Sequence, residues 1–139
     1  MSPRKKSVER EKNLTILIVE DDESIANLLE INLDLAGFKS IIARDGEEAV
    51  SLFDPSKIAL VLLDLMLPAK DGWEVLEHIQ KESEGKVPII ITSAKTQKGD
   101  LKKGFEMGIV DYVTKPFDPL VLAEKIKFIL NPLNPQGNS

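Results

Sequence analysis

Short apolar runs alternate with amphipathic segments along the whole chain. Runs of strand length predict β-strands at 14–19, 39–43, 58–63, 87–92 and 109–113. Helical spacing and capping signals predict helices at 23–36, 46–53, 73–82, 98–108 and 119–130. Asp22 and Asp118 are the expected N-caps of the first and last helices. The core stripe predicted for these two helices consists of Ile25, Leu28, Leu29, Leu33 and Ala36 in the first and Leu122, Ile126, Ile129 and Leu130 in the last.

This order amounts to five strand–helix units. Strands that are apolar on both faces and are separated by helices indicate a parallel sheet covered on both sides. Right-handed crossovers then give a doubly wound, layered α/β fold. In such folds the functional site lies at the carboxyl ends of the strands.

Composition narrows the class of protein. The chain has 139 residues, of which 42% are hydrophobic, which suits one compact domain, placed here at residues 14–130. The chain contains no cysteine, which excludes disulfides, thiolate catalysis and zinc–thiolate sites. The longest apolar runs, about ten residues, are too short to span a membrane, and no apolar stretch typical of a signal peptide follows the N-terminal bases. We therefore expect a cytoplasmic protein that does not bind membranes.

Charge is unevenly distributed along the sequence. The net charge is −5, yet residues 1–12 carry five bases against two acids, a local charge of +3. The acidic remainder argues against a nucleic-acid-binding face covering the domain. Residues 1–13 are interpreted as a basic, solvated tail, with weak docking as the alternative. Residues 131–139, rich in Pro, Asn and Gly, are either a frayed end or the stub of a linker.

Polar side chains follow four of the predicted strands, at the point where each strand ends. Because these ends share one edge of a parallel sheet, we expect the side chains to converge there. Each has an ordinary alternative role, such as helix capping, a loop hydroxyl or a solvated charge. Their occurrence together after four different strands favours a site. The residues are Glu20, Asp21 and Asp22 after the first strand, Asp64 after the third, Thr92 and Ser93 at the fourth, and Lys115 after the fifth.

Crowded carboxylates of this kind predict a cation and a phosphoryl group. Carboxylates placed close together cannot all stay ionised without a positive charge, and Mg²⁺ (or Mn²⁺) favours such oxygen ligands. The metal, the Lys115 ammonium and the Ser93 hydroxyl could neutralise a bound phosphoryl group. Asp64, which interrupts an apolar run, is the natural nucleophile for forming an acyl phosphate.

With these residues assembled, the sequence resembles the receiver domain of bacterial two-component response regulators. The resemblance covers residues 14–130 and rests on four motifs in the family's order and spacing: ILIVEDD, LLDLMLPAKDGWEVL, PIIITSA and DYVTKPFDP. It implies a flavodoxin-like (βα)₅ fold with strand order 2-1-3-4-5. It also implies that Asp64 is the phosphoacceptor and that the protein is a signalling switch, not a turnover enzyme.

The resemblance assigns further roles. Asp21 and Asp64 would bind Mg²⁺ directly, Glu20 mostly through water, and the backbone carbonyl of Met66 would be a third protein ligand. Ser93 would be the switch hydroxyl and Tyr112 the switch aromatic. Lys115 would bind the phosphate, with a cis bond to Pro116. Asp22 resembles a helix cap more than a ligand.

The implied partners are a sensor histidine kinase or phosphotransfer protein and a downstream protein target, without direct nucleic-acid contact. Output would use the face formed by the fourth helix, fifth strand and fifth helix, with the protein a monomer or a phosphorylation-dependent dimer. Val121 and Lys125 stand where the DNA-binding subfamily often has Glu and Arg, which weakens the expectation of its charge-paired dimer. Leu120, Val121 and Phe128 would form an apolar docking face or be partly buried.

Two alternatives to a stand-alone receiver stay open. The chain could be the receiver fragment of a larger multidomain regulator. A different class is an Asp-nucleophile phosphatase of the haloacid dehalogenase kind. That family carries a second Asp two residues after its nucleophile, where this chain has Met66.

Overall fold

The computed structural model describes residues 15–94 and 98–131. The basic N-terminal segment and residues 132–139, both assigned above as tails, lie outside this range. The strands are β1 (Thr15–Val19), β2 (Lys39–Ala43), β3 (Ile58–Leu63), β4 (Ile89–Ser93) and β5 (Asp111–Thr114). The helices are α1 (Glu23–Leu35), α2 (Gly46–Leu52), α3 (Gly72–Ser83), α4 (Lys98–Glu106) and α5 (Pro119–Leu130).

The strands form one parallel sheet in the order β2-β1-β3-β4-β5, which confirms the predicted doubly wound topology. Alternate residues of β1, β3 and β4 face opposite sides of the sheet, and both sides are buried. One core contains buried residues of α1 and α5, and the other contains those of α2 and α3. The apolar runs on both strand faces therefore serve two separate cores.

Capping side chains begin the helices as predicted. The Asp22 carboxylate accepts a hydrogen bond from the Ile25 amide at 3.1 Å, and Asp118 accepts one from Leu120 at 2.9 Å. Both contacts satisfy backbone donors that a helix leaves unpaired at its first turn. Among the described residues, no helix has the length and apolar character needed to cross a membrane.

The prediction that Leu28 faces the core is wrong. Ala26, Leu29 and Leu33 form the buried stripe of α1, whereas Leu28 is largely exposed. One residue step on a helix turns the side chain by about 100°, so a position adjacent to the core stripe can face solvent. Ile25 and Ala36 are partly buried, as are Ile129 and Leu130 in the last helix.

Candidate functional site

Backbone hydrogen bonds fix the residues that follow the strands at the carboxyl edge of the sheet. The Glu20 amide donates to the Ala43 carbonyl of β2 at 2.9 Å, and the Asp64 amide donates to the Val19 carbonyl of β1 at 3.0 Å. The Lys115 amide donates to the Ser93 carbonyl of β4 at 2.7 Å. Each residue thus continues the sheet ladder one step beyond its own strand, and the side chains are held by the sheet itself.

One ammonium group joins two buried carboxylates. Lys115 Nζ lies 2.8 Å from Asp64 Oδ2 and 2.5 Å from Glu20 Oε1. Glu20 and Asp64 are almost fully buried, at 1% and 4% exposure. Two buried negative charges therefore share one positive charge, and such charges are stable in a protein interior only when they are paired.

The remaining carboxylate oxygens accept backbone hydrogen bonds. The Met66 amide donates to Asp64 Oδ1 at 2.9 Å, and the Asp22 amide donates to Glu20 Oε2 at 3.1 Å. These bonds set the orientation of both carboxylates. They leave the buried Glu20 Oε1 with the Lys115 ammonium as its partner.

Burial and ion pairing shift the pKa values at this site. Burial raises the pKa of Glu20, an effect that outweighs the opposing attraction of the Lys115 ammonium and the Asp22 amide. Burial alone would lower the pKa of Lys115. Hydrogen bonding and Coulomb attraction from Asp64 and Glu20 exceed that effect and raise it, so the ammonium stays charged.

The acidic residues fit a divalent metal ion. One carboxylate oxygen each from Glu20, Asp21 and Asp64 lie within 4.8 Å of one another, and Asp21 is exposed to solvent. Hard oxygen donors and an excess of negative charge over the single Lys115 ammonium are features that suit Mg²⁺. The structure therefore brings together the three acidic side chains that the sequence predicted as metal ligands.

The two residues predicted as switches are in contact with each other. Ser93 is buried at the end of β4, and a side-chain hydrogen bond links it to Tyr112 of β5. Burial raises the pKa of Tyr112, and the hydrogen bond with Ser93 opposes that rise. The hydroxyl at the site edge is thus connected directly to an aromatic residue on the neighbouring strand.

Met66 lies close to the phosphoacceptor through its backbone. Its amide binds Asp64, while its side chain is largely exposed. Its carbonyl as a metal ligand stays a prediction. The bond between Lys115 and Pro116 is cis, as the resemblance implied.

Sequence reasoning missed the ion pair between Glu20 and Lys115. Glu20 was expected to act mostly on a metal through water, but here it contacts the ammonium directly. The two residues are far apart in the chain and no local pattern connects them. Only the strand order, which brings the ends of β1 and β5 to the same edge through β3 and β4, makes the contact possible.

The site and the fold have close counterparts among known proteins. Residues 16–127 match the family model described as the response regulator receiver domain. The alkaline phosphatase synthesis transcriptional regulatory protein PhoP of Bacillus subtilis is 42% identical over 118 residues, which cover 85% of this chain and 49% of PhoP. A probable transcriptional regulator, ycf27 of Porphyridium aerugineum, is 43% identical over 83% of this chain and 47% of its own length. The chain thus spans about half the length of these curated relatives.

Solved structures agree with the sequence comparison. The non-phosphorylated HemR receiver domain of Leptospira biflexa superposes with a TM-score of 0.79 and 29% identity, covering 84% of this chain and 94% of that one. DrrB of Thermotoga maritima, described as an OmpR/PhoB homologue, gives a TM-score of 0.75 at 29% identity and covers 84% of this chain and 52% of its own. Both share the parallel five-stranded fold of this chain.

Proposed function

Because the chain belongs to the response regulator receiver family, we propose that Asp64 accepts a phosphoryl group from a phosphohistidine of a sensor kinase or phosphotransfer protein. An Asp64 carboxylate oxygen would attack phosphorus, forming an O–P bond as the N–P bond breaks. The imidazole nitrogen leaves with the bonding electrons. The observation that carries this proposal is the buried Asp64 carboxylate held between the Lys115 ammonium and the Met66 amide.

Charge neutralisation is the main demand of this chemistry. Lys115 would keep its charge, as its raised pKa indicates, and exchange its contact with Asp64 for one with a phosphoryl oxygen. The Ser93 hydroxyl would donate to another oxygen. Mg²⁺ would be held by Glu20, Asp21, Asp64 and the Met66 carbonyl. Its positive charge would offset the negative charge of the phosphoryl oxygens.

The switch would work by exchange of hydrogen bonds. A phosphoryl group on Asp64 offers Ser93 a charged acceptor in place of the Tyr112 hydroxyl, and charge-assisted hydrogen bonds are the stronger kind. Tyr112 would then change its exposure. New contacts to the phosphate would shift the population toward the conformer that makes them. This population shift would be the signal.

Output is proposed to use the α4–β5–α5 face, defined by its exposed apolar residues Phe105, Val110, Leu120, Val121 and Phe128. Their exposure confirms that Leu120, Val121 and Phe128 lie off the core. Lys125 pairs with Asp111 within the chain at 2.7 Å, which supports a docking face that is mainly apolar. Phosphorylation would favour a protein partner or a second copy at this face.

The organisation that we propose keeps a receiver domain at 14–130 between terminal segments 1–13 and 131–139. The phosphorylated face would act on a separate protein or on a further domain of the same polypeptide. Relatives about twice as long are called transcriptional regulators, which favours control of transcription as the process served. A turnover phosphatase is disfavoured because Met66 cannot act as a general acid at the position where that class requires one.

Intact-mass measurement after incubation with acetyl phosphate and Mg²⁺ tests the proposal. The wild type should gain one phosphoryl group, and Asp64→Asn should gain none. Asp71→Asn is the matched control, because Asp71 caps α3 outside the acidic cluster and Asn is also a good cap. Equal labelling of Asp64→Asn and wild type, or no labelling of any variant with or without Mg²⁺, would contradict the assignment.

A further inference from the structure

An exposed apolar groove lies between α1 and β2, and β2 is the edge strand opposite β5 in the sheet. Ile31 and Leu35 are 57% and 79% exposed, and both lie on the α1 surface that faces away from the core. Phe38 and the start of the edge strand β2 form the other wall. The residues that line the groove are Glu30, Ile31, Asp34, Leu35, Phe38, Lys39 and Ser40.

The rim of this groove carries uncompensated negative charge. Glu30 and Asp34 lie in the second half of α1, whose last turn contains no base. Within the described ranges, no cation lies within 4.0 Å of either carboxylate. The C-terminal end of a helix is itself partly negative, so acids there are unfavourable without a nearby cation. Lys39 supplies one positive charge at the opposite wall but leaves the rim acidic.

The chain supplies a basic segment at this point. Thr15, the first described residue, pairs with Lys39 in the sheet register, so residues 1–14 join the structure beside the groove. Residues 1–12 carry a net charge of +3, and Val8 and Leu14 are apolar. An extended chain covers about 3.3 Å per residue, whereas residues 30–35 of a helix rise only about 8 Å, so the segment is long enough.

We infer that the N-terminal segment of this chain, residues 1–14, docks in the α1–β2 groove. Its bases, Arg10 and Lys12 foremost, face Glu30 and Asp34, and its apolar side chains cover Ile31 and Leu35. A second copy of the chain is a poorer occupant, because the residues outside the basic segment sum to −8 and would repel the acidic rim. The inference does not depend on phosphorylation of Asp64.

A spin label in the segment would test the docking in the full-length protein. The chain has no cysteine, so Ser7→Cys provides a single labelling site. Thr15 also pairs with Ile58 on its other side, so residues 54–58 lie as near the attachment point as the groove does. A free segment of eight residues would extend roughly 16 Å and would broaden both regions alike. A docked segment should broaden the amides of residues 30–39 at least threefold more than those of 54–58.

Charge reversal at the rim supplies the matched comparison. Glu30→Lys combined with Asp34→Lys should lower the docked-to-free ratio about fivefold, as expected for two exposed ion pairs. The control combines Glu77→Lys with Glu82→Lys, both at exposed positions of α3. It should leave the stronger broadening of residues 30–39 unchanged. Equal broadening of the amides of residues 30–39 and 54–58 in the wild type would overturn the inference. Broadening of residues 30–39 only when isotope-labelled and spin-labelled molecules are mixed would overturn it in favour of a second copy.

Discussion

At the scale of single residues, the site is dominated by a shortage of positive charge. Glu20 and Asp64 are buried with one ammonium between them. A buried carboxylate that loses its cationic partner is strongly destabilised, so Lys115 is needed for the fold as well as for the proposed chemistry. Burial raises the pKa of Glu20, and the nearby Asp64 charge adds a smaller rise. The remaining excess of charge is what makes the site receptive to a metal ion or a second cation.

Tyr112 gives a pH-dependent signal from the same region. Burial raises its pKa above 10.0, and the hydrogen bond with Ser93 lowers it by a smaller amount. Ser93→Ala removes the bond and should raise the pKa further. Because the folded protein keeps a proton that the unfolded chain has released, unfolding becomes more favourable as the pH rises above 10.0. The raised pKa of Lys115 acts in the same direction at slightly higher pH.

Absorbance of the ionised phenol measures this directly, because Tyr112 is the single tyrosine of the chain. Circular dichroism recorded in parallel separates ionisation from alkaline unfolding. Thr92→Ala, one position earlier on β4, is the matched control and should leave the tyrosine midpoint in place. A midpoint at or below 10.0 in the folded wild type would contradict the pKa rise attributed to partial burial of the phenol.

The residues of the site could be predicted from sequence, but most of their contacts could not. The sequence predicts Asp64 and Lys115 as site residues because each comes directly after or within two residues of a predicted strand, and the carboxyl ends of parallel strands share one edge. The sharing of Lys115 between two carboxylates depends on side-chain packing after strands distant in sequence have paired. A one-dimensional pattern contains no information on that geometry.

At the scale of elements, the start of α3 is held against the loop that follows β3. A Cβ atom added to Gly72 would lie 2.6 Å from the Cα and carbonyl oxygen of Leu65, the residue after Asp64. Backbone cannot yield as a flexible side chain can. Gly72→Ala should therefore lower the free energy of unfolding by about 2 kcal/mol, the range for overpacking. Urea unfolding followed by circular dichroism measures this change.

Gly99 provides the contrast within the same chain. It lies near the start of α4, and a Cβ atom added there would have open space, with none of the described residues packed within 4 Å of it. Gly99→Ala should be neutral or raise stability by up to about 1 kcal/mol through helix propensity. Equal losses of stability in Gly72→Ala and Gly99→Ala would mean that the tight approach of Gly72 to Leu65 does not limit substitution at residue 72.

The boundaries of β5 and β4 show that an apolar run in the sequence and the hydrogen-bonded strand need not cover the same residues. The apolar pattern predicts a strand at 109–113, but β5 spans Asp111–Thr114. The Ile109 amide donates to the Gly104 carbonyl at 3.1 Å, so Ile109 closes α4 and is buried there without joining the sheet. Similarly β4 begins at Ile89, after Pro88, which lacks an amide donor. Burial alone does not distinguish a strand residue from a buried turn residue.

At the scale of the whole molecule, negative charge is in excess near both ends of the strands. The −8 carried outside the N-terminal dozen residues includes the acidic site and the acidic rim of the α1–β2 groove. The first is suited to a divalent ion and the second to a basic peptide segment. Both would gain from cations, so added salt alone should change stability somewhat. A specific metal effect must therefore exceed that of matched ionic strength.

Thermal unfolding with Mg²⁺ distinguishes the specific effect. An ion that binds only the folded state at ten times its Kd adds about 1.4 kcal/mol, which raises Tm by roughly 5 °C for a domain of this size. Sodium chloride at equal ionic strength should produce a much smaller rise, and a chelator should reverse the Mg²⁺ effect. Asp21→Asn should abolish the specific rise, because Asp21 is the exposed carboxylate of the cluster. Glu77→Gln, which removes an exposed acid on α3, should retain it, since a general response to lost surface charge would affect both variants alike.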